Sequence, residues 1–191
     1  MDNTPGYTDN SHPIVMRCKK GEKKAFEEIY YLYAKTMFNV ALRITNNYEE
    51  AQEVTQDSFL KAFQKIDEFD QKFSFGVWLK RIVINRSLDT LKKRKMNFVS
   101  IEDSDFEDDD PAEDNNVEDE TIYDVESIRQ SVMKLPDGYR TILSLFLFEE
   151  YSHKEISVLL KISESTSKSQ YSRAKKKLIE LIKPKTTSND R

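Results

Sequence analysis

The sequence predicts an all-α protein in which two small helical domains are joined by an acidic, flexible linker. Apolar residues recur at helical spacing over long stretches in both halves of the chain. The low count of 4 Gly and 5 Pro among 191 residues favours helices over turn-rich β structure. Residues 97–126 contain fourteen Asp or Glu and no Lys or Arg, which marks them as the linker. The predicted division is a disordered N-terminus at 1–12, a first domain at 13–96, the linker at 97–126, a second domain at 127–185 and a tail at 186–191.

The first domain is predicted to begin with a short helix and a long one. Residues 1–12 are polar, include one Pro–Gly pair and show no periodicity. A short helix is predicted at Ile14–Lys20, ended by Gly21. The long helix is predicted at Glu22–Thr45, where an apolar stripe repeats every 3.6 residues and Asn46–Asn47 then breaks it.

Two further helices and an aromatic loop complete the first domain. A helix at Tyr48–Ile66 has an apolar face and exposes several acids near its start, where they suit the helix dipole. Asp67–Phe75 is predicted as a loop that is unusually rich in aromatic residues. Ser74 is predicted to cap a third helix, Phe75–Arg94, which has a basic polar side and a basic end.

Aromatic side chains beside a basic helix are what single-stranded DNA binding requires, because rings stack on bases and cations pair with the backbone. Phe69 is the better candidate for a base contact, since it sits in the loop. Trp78 has apolar neighbours at i+4 and i+10 and is predicted to lie in the core. The polar candidates of the same surface are Lys72, Lys80, Arg81, Asn85 and Arg86.

The net charge of −4 is the sum of two basic domains and the acidic segment between them. Outside residues 97–126 the chain holds 30 basic and 20 acidic side chains. Basic surfaces of this kind attract nucleic acid by releasing counterions. The acidic segment cannot bury a core and repels itself into an extended state. It is either a solubilising tether or a polyanion that occupies a positively charged channel of a partner and competes there with nucleic acid.

The second domain carries the pattern of a DNA-binding helix-turn-helix. Ser152 and Glu155 form a capping box that starts a short helix, and Ser163 is predicted to cap a longer one reaching Ile182. The inward side of the longer helix is predicted to hold Tyr171, Ala174, Leu178, Leu181 and Ile182. The opposite side holds Lys168, Ser169, Ser172, Arg173, Lys175 and Lys176. These side chains suit the phosphates and base edges of a major groove, although a solvated basic face on an ordinary amphipathic helix is the alternative.

Composition argues against several other classes of protein. No stretch of eighteen apolar residues is present, so no direct membrane insertion is predicted, and the N-terminus lacks the apolar core of a signal peptide. One cysteine, Cys18, and two histidines, His12 and His153, leave little to build a disulfide, a metal site or a catalytic triad. We therefore expect a cytoplasmic protein that needs no cofactor or metal and is not an enzyme.

Three stretches, in this order and at this spacing, resemble the extracytoplasmic-function (ECF) sigma factors of bacterial RNA polymerase. They are EEAQEVTQDSFLKAFQKIDEF, FGVWLKRIVINRSLDTLKKRK and LPDGYRTILSLFLFEEYSHKEISVLLKISESTSKSQYSRAKKKL. The resemblance covers residues 14–95 and 127–183. It implies that the first domain is the helical bundle of sigma region 2 and the second is the helix-turn-helix of sigma region 4. The implied function is to bind core polymerase, bring it to a promoter and melt the DNA.

The resemblance also implies roles for individual residues. The QEVTQDSF stretch resembles the helix that docks on the β′ clamp, which makes Glu53, Gln56 and Asp57 candidates for that contact. In the part that melts the minus-ten element, Phe69 matches a loop aromatic beside unstacked bases and Asn85 matches a polar residue near a flipped base. The groove-facing positions for the minus-thirty-five element are Lys168, Ser169, Ser172, Arg173 and Lys176.

The helix-turn-helix departs from the family pattern at three positions that affect its structure. Lys161 stands in the turn where Gly is usual, and a left-handed backbone at Lys costs about 1 kcal/mol. The longer helix begins T-S-K-S-Q where T-V-K-S-R is common, so Ser167 and Gln170 replace a Val and an Arg. We expect these replacements to weaken one core contact and one phosphate contact.

The implied partners are the core polymerase, through its β′ clamp and β flap, promoter DNA and an anti-sigma factor. The acidic linker resembles the segment that threads the RNA path of the polymerase. Two other functions remain open: a stand-alone helix-turn-helix regulator that binds duplex DNA as a dimer, and an enzyme such as a recombinase or hydrolase. The first domain has no ligand-pocket signature, and no Gly-rich phosphate loop or H-x-x-H spacing occurs.

Overall fold

The computed structural model describes residues 11–70, 73–98 and 125–182, and all regular elements within these ranges are helical. The α-helices are α1 (His12–Lys19), α2 (Lys23–Thr45), α3 (Tyr48–Gln64), α4 (Phe75–Phe98), α5 (Val125–Met133), α6 (Asp137–Leu147), α7 (His153–Leu160) and α8 (Glu164–Ile182). A 3₁₀ turn at Ile66–Glu68 follows α3. The chain divides into two compact units, here unit 1 (α1–α4) and unit 2 (α5–α8). The predicted all-α fold is confirmed.

Unit 1 is built on three helices that pack against one another. Each of α2, α3 and α4 contacts the other two, and α1 packs on α2 and on the 3₁₀ turn. The apolar stripe of α2 is buried as predicted over most of its length, at Ile29, Met37, Val40, Ala41 and Ile44. Leu79, Val83 and Ile84 supply the buried face of α4. These side chains leave the charged faces of α3 and α4 outside.

The ends of the unit 1 helices follow local signals, and several differ from the predicted boundaries. Helix α1 begins at His12 instead of Ile14, because Pro13 fits the first turn of a helix. Ser11, placed in the disordered N-terminus by the sequence, is buried. Asn46 (φ 53°) ends α2 as predicted, and the Asn47 side chain accepts the Glu50 N–H at 2.9 Å to start α3.

The first and last residues of the predicted linker are helical. Helix α4 continues past Arg94 to Phe98, so Asn97 and Phe98 are helical, and α5 already begins at Val125. Residues 99–124 lie outside the described ranges, as do the N-terminal residues 1–10 and the predicted tail at 186–191. The helical pattern of α4 ends in a basic run without a stop signal, which explains why the sequence placed its end too early.

Unit 2 is organised around α8. Helices α5, α6 and α7 all pack on it, and its core contains Val132, Leu135, Leu143, Ala174 and Leu178. Arg140 is 1% exposed, and its Nη1 donates to the Leu135 carbonyl at 2.7 Å, which satisfies a carbonyl just beyond α5. The inward face predicted for α8 is confirmed, with Ala174 and Leu178 buried and Leu181 and Ile182 packed against the same core.

The helix-turn-helix in unit 2 has the predicted caps. The Ser152 side chain accepts the Glu155 N–H, and the Glu155 side chain accepts the Ser152 N–H at 2.9 Å, which completes the capping box. Lys161 ends α7 with φ 58° and ψ 44°, the left-handed conformation expected of it. This conformation lets the Ile162 N–H donate to the Ser157 carbonyl at 3.0 Å and turns the chain into α8.

Lys161→Gly is expected to raise the free energy of unfolding of unit 2 by about 0.5–1 kcal/mol. Gly relieves the strain of a left-handed Lys, and the greater entropy of Gly in the unfolded chain offsets part of that gain. The matched control Lys161→Ala removes the side chain but keeps the strain, so it should not stabilise. Hydrogen exchange of the α7 and α8 amides in the full chain measures the difference. Equal protection in the two variants would show that the turn carries no relievable strain.

Candidate nucleic-acid interface

The five residues of α8 that are predicted to contact DNA lie on one side of the helix. Ser163 starts the helix by accepting the Thr166 N–H at 2.9 Å, as predicted. Lys168 and Lys176 are exposed, and Ser169, Ser172 and Arg173 are half-buried. The five side chains recur at intervals of three and four residues, so one helix face presents them together. That face carries three cations and two hydroxyls, a combination that serves both phosphate and base-edge contacts.

Polar contacts inside α8 orient the start of this face. Lys168 Nζ lies 2.8 Å from Glu164 Oε1, one turn earlier, and this hydrogen bond lowers the pKa of the Glu164 carboxyl. Ser169 Oγ donates to the Thr166 carbonyl at 3.0 Å, which leaves its oxygen lone pairs available as acceptors. The first exposed turn of α8 is therefore ordered before any ligand arrives.

His153 joins the three helices of the helix-turn-helix. Its ring stacks on Phe146 of α6 at a centroid distance of 4.5 Å, and it meets the edge of Tyr171 of α8 at 5.5 Å. Its Nδ1 shares a hydrogen bond of 3.0 Å with Ser167 Oγ. Burial, and then the charge of Lys168, lower the pKa of His153 below its usual value.

The same contacts explain the unusual start of α8. Ser167 is fully buried, and its hydroxyl is paired with His153 where the family pattern has an apolar Val. Gln170 is also buried, so it faces the unit 2 interior and not the phosphates. A hydrogen bond between α7 and α8 therefore lies at the position where the family pattern has an apolar contact.

The structure corrects the prediction for Phe69. Its side chain is 4% exposed, and its ring packs on Phe75 at 5.6 Å and on Trp78 at 5.4 Å. A base has no open ring face to stack on at this position. The 3₁₀ turn at Ile66–Glu68 directs Phe69 inward, which the sequence could not reveal because the whole segment lacks periodicity. Trp78 packs in the same cluster, as predicted for a core residue, and is only half-buried.

Phe73 is the exposed aromatic residue of this region. Its side chain is 56% exposed, and the Arg81 guanidinium lies 5.1 Å from its ring centroid. Val77, Arg81 and Asn85 follow at four-residue intervals along α4, and all three are exposed. This stripe brings an aromatic face, a cation and an amide together, whereas Lys72 lies outside the described residues. Sequence reasoning missed Phe73 and Val77, because three Phe residues within seven positions gave no basis for choosing among them.

The remaining minus-ten candidates are less accessible than predicted. Lys80 is half-buried. Arg86 is half-buried and forms a salt bridge with Asp57 of α3. Asp57 is predicted to contact the polymerase and Arg86 is predicted to contact DNA. Their ion pair therefore connects two surfaces that were predicted separately. The pair is separated by 29 positions in the chain, which is why helical spacing could not predict it.

The predicted polymerase-binding residues lie on the outer face of α3. Glu53 and Gln56 are exposed, and Gln56 lines an open cleft of about 260 Å³ between α2 and α3. Aromatic residues of both helices form its apolar wall: Tyr30, Phe38 and Tyr48. Leu60, four residues after Gln56, is 60% exposed, and Tyr31 is 81% exposed. Both side chains lie on the two helices that form the cleft, and the sequence did not single them out.

The described residues lack the features of two other kinds of site. They contain no cluster of three or more His, Cys, Asp or Glu side chains arranged to hold a metal ion. None of the helices in the described ranges is long and apolar enough to span a bilayer.

Both units match models of known protein families. The model of sigma-70 region 2 matches residues 29–96, and the model of sigma-70 region 4 matches residues 126–178. The ECF RNA polymerase sigma factor SigW of Bacillus subtilis is 30% identical over 172 residues, which cover 86% of this chain and 92% of that relative. The RNA polymerase sigma-H factor of Pseudomonas aeruginosa is 27% identical over 184 residues, which cover 92% and 95% of the two chains.

Two solved structures share the fold. The sigma factor RpoE of Bartonella quintana, in complex with the anti-sigma factor NepR, aligns with a TM-score of 0.55 and 21% identity over 85% of this chain and 99% of that one. CnrH, in complex with the cytosolic domain of CnrY, aligns with a TM-score of 0.53 and 20% identity over 91% and 96% of the two chains.

Proposed function

The chain belongs to the ECF RNA polymerase sigma factors, and from this premise we propose how its residues bind the core polymerase, recognise a promoter and open the DNA. The observation that carries the function is the order of two matched regions in one chain, region 2 followed by region 4. Such a protein acts by binding and does not make or break covalent bonds, so we assign it no catalytic residue. Its place of action is the cytoplasm, where the polymerase works.

We assign the double-stranded minus-thirty-five element to the outer face of α8. Arg173 and Lys168 carry the charge, Ser169 and Ser172 supply hydroxyls, and Lys176 lies one turn further along. A basic helix presented by a capped helix-turn-helix is the geometry that enters a major groove. A stand-alone regulator would use the same helix, but the relatives described above are sigma factors and give that alternative no support.

The separated strand of the minus-ten element is assigned to the stripe of Phe73, Val77, Arg81 and Asn85. A flipped base needs a ring to stack on and polar groups for its edge, while the phosphate needs a cation. Phe73 and Arg81 already lie together, and Asn85 follows Arg81 by about one helical turn. Stacking offsets part of the cost of unpairing, a few kcal/mol per base.

The core polymerase is assigned to α3, where the β′ clamp contact uses Glu53 and Gln56 beside Leu60 and the aromatic cleft. The β flap is assigned to unit 2. Because a related sigma factor is found with an anti-sigma factor, we also propose that an anti-sigma factor binds this chain and competes for these surfaces.

Reversing the charge of Glu53 is expected to weaken core binding. Glu53→Lys should lower the affinity for core polymerase by about 1 kcal/mol, roughly fivefold, since it puts a repulsive charge at the edge of the contact. Glu53 is a cleaner probe than Asp57, whose replacement would also release Arg86. The control Glu27→Lys makes the same change on the exposed side of α2. Titration of a fluorescent chain with core enzyme measures both, and equal affinities would remove Glu53 from the contact.

In vitro transcription tests the function as a whole. Purified bacterial core polymerase is mixed with the full chain and a library of promoter fragments, and the RNA 5′ ends are mapped. New start sites that share two upstream elements should appear only when the chain is present. Start sites identical to those of core enzyme alone would refute the proposed function.

A further inference from the structure

Helix α1 reaches across to the turn that precedes α4 and holds it. Lys19, the last residue of α1, donates from Nζ to the Phe69 carbonyl at 2.7 Å and lies 3.5 Å from the Asp67 carbonyl. The same ammonium group is 5.9 Å from the centroid of the Phe69 ring. One side chain thus contacts both the backbone and the ring of a residue 50 positions away.

The carbonyls that Lys19 contacts need an external donor. They lie in and just beyond the 3₁₀ turn at Ile66–Glu68, and carbonyls at the end of a helical turn have no partner within the turn. An ammonium group carries three donors and favours the negative end of a helical segment. Lys19 therefore supplies the hydrogen-bond donor that the carbonyls of the turn need.

Helix α1 is itself anchored, so the contact comes from a fixed support. Arg17 pairs with Glu22 at 2.8 Å and with Glu28 of α2 at 2.9 Å, and the other side of α1 buries Val15 and Cys18. A half-buried Lys on such a helix loses less conformational entropy when it binds than a Lys on a free tail.

The turn held by Lys19 sets the first turn of α4. Phe69 packs on Phe75, two residues after Phe73, and on Trp78, which directly follows Val77. We propose that Lys19 is a positioning residue for the minus-ten surface: it fixes Phe69, and through Phe69 it sets the orientation of Phe73 and the α4 stripe. This inference rests on the proposed function of that stripe. It assigns a role in promoter opening to α1, which precedes the residues matched by the region 2 model.

The single tryptophan allows the contact to be tested without polymerase. Trp78 is the only Trp of the chain and lies 5.4 Å from the Phe69 ring, so its fluorescence reports on the held turn directly. Lys19→Met keeps the aliphatic stem and removes the ammonium group. It should increase the quenching of Trp78 by acrylamide, whereas the control Lys20→Met, which removes the same charge from an exposed neighbour, should not. Unchanged quenching in Lys19→Met would overturn the positioning role.

Promoter opening then tests the consequence. With core polymerase, Lys19→Met should reduce the permanganate reactivity of minus-ten thymines by about three- to tenfold, the effect of losing one hydrogen bond of ordinary net strength. Core affinity and duplex binding to the minus-thirty-five element should stay unchanged. Lys19→Arg retains the charge and the donors and should restore most of the opening, which a defect of bulk folding would not allow.

The outcomes separate the two proposals. If the parent chain opens promoters and Lys19→Met opens them equally well, the positioning role is wrong and the proposed function stands. If the parent opens none, the proposed function fails and the promoter role of Lys19 fails with it. In that case the Trp78 measurement still decides whether Lys19 holds the turn.

Discussion

Phe69→Ala is expected to lower the free energy of unfolding of unit 1 by about 3–5 kcal/mol, the usual cost of deleting a buried Phe ring. The ring is 4% exposed and fills the space between Phe75 and Trp78. Its loss leaves a cavity at the start of α4 that the neighbouring rings can fill only in part. Urea unfolding followed by Trp78 fluorescence measures the change directly.

Phe73→Ala is the matched control, because it removes the same ring four positions later. Phe73 is 56% exposed, so its replacement should alter the stability of unit 1 by no more than about 0.5 kcal/mol. It should instead reduce promoter opening, measured by permanganate reactivity. If Phe69→Ala proved stable and defective only in opening, while Phe73→Ala behaved like the parent, the two rings would have the reverse of the roles assigned to them.

Arg173→Ala is expected to weaken binding to the minus-thirty-five element by about 1–3 kcal/mol and to relax selectivity at one base pair, the signature of a base-edge contact. Arg173 lies halfway along α8 and on the face predicted to enter the groove, which supports this role. Alanine favours helix, so the change should leave α8 intact, which circular dichroism can verify.

Lys176→Ala provides the comparison for Arg173→Ala. A Lys that contacts only phosphate should weaken binding to all sequences about equally and reduce the salt slope by about 1. Each variant is titrated against promoter duplexes with single base-pair changes and against a scrambled duplex, at several salt concentrations. A uniform loss for Arg173→Ala would move that residue from base recognition to phosphate contact.

Helices and caps were predictable because their signals are local. The apolar stripe of α2, the capping box at Ser152 and Glu155, the left-handed Lys161 and the two faces of α8 are all encoded within a few turns of chain. The outer face of α8 followed from the same local periodicity, since a helix that buries one side must expose the other. Those parts of the candidate interface could therefore be assigned from residue spacing alone.

Contacts between residues that are distant in the chain could not be predicted from residue spacing. The sequence contains no signal that Asp57 pairs with Arg86, that Lys19 contacts Phe69, or that Phe69 turns inward while Phe73 turns outward. These outcomes depend on how helices distant in the chain pack together, and helical periodicity carries no information about it. The cleft beside Gln56 is similar, because its walls come from two helices.

The hydrogen bond between His153 and Ser167 has a consequence for exchanging promoter specificity between relatives. A recognition helix transplanted from a relative with Val at position 167 would leave the His153 nitrogen without its partner in a half-buried site, a cost of about 1–3 kcal/mol. A grafted α8 should therefore be combined with the residue that the same relative has at position 153. The free energies of substitutions at positions 153 and 167 are coupled, so only the joint exchange is favourable.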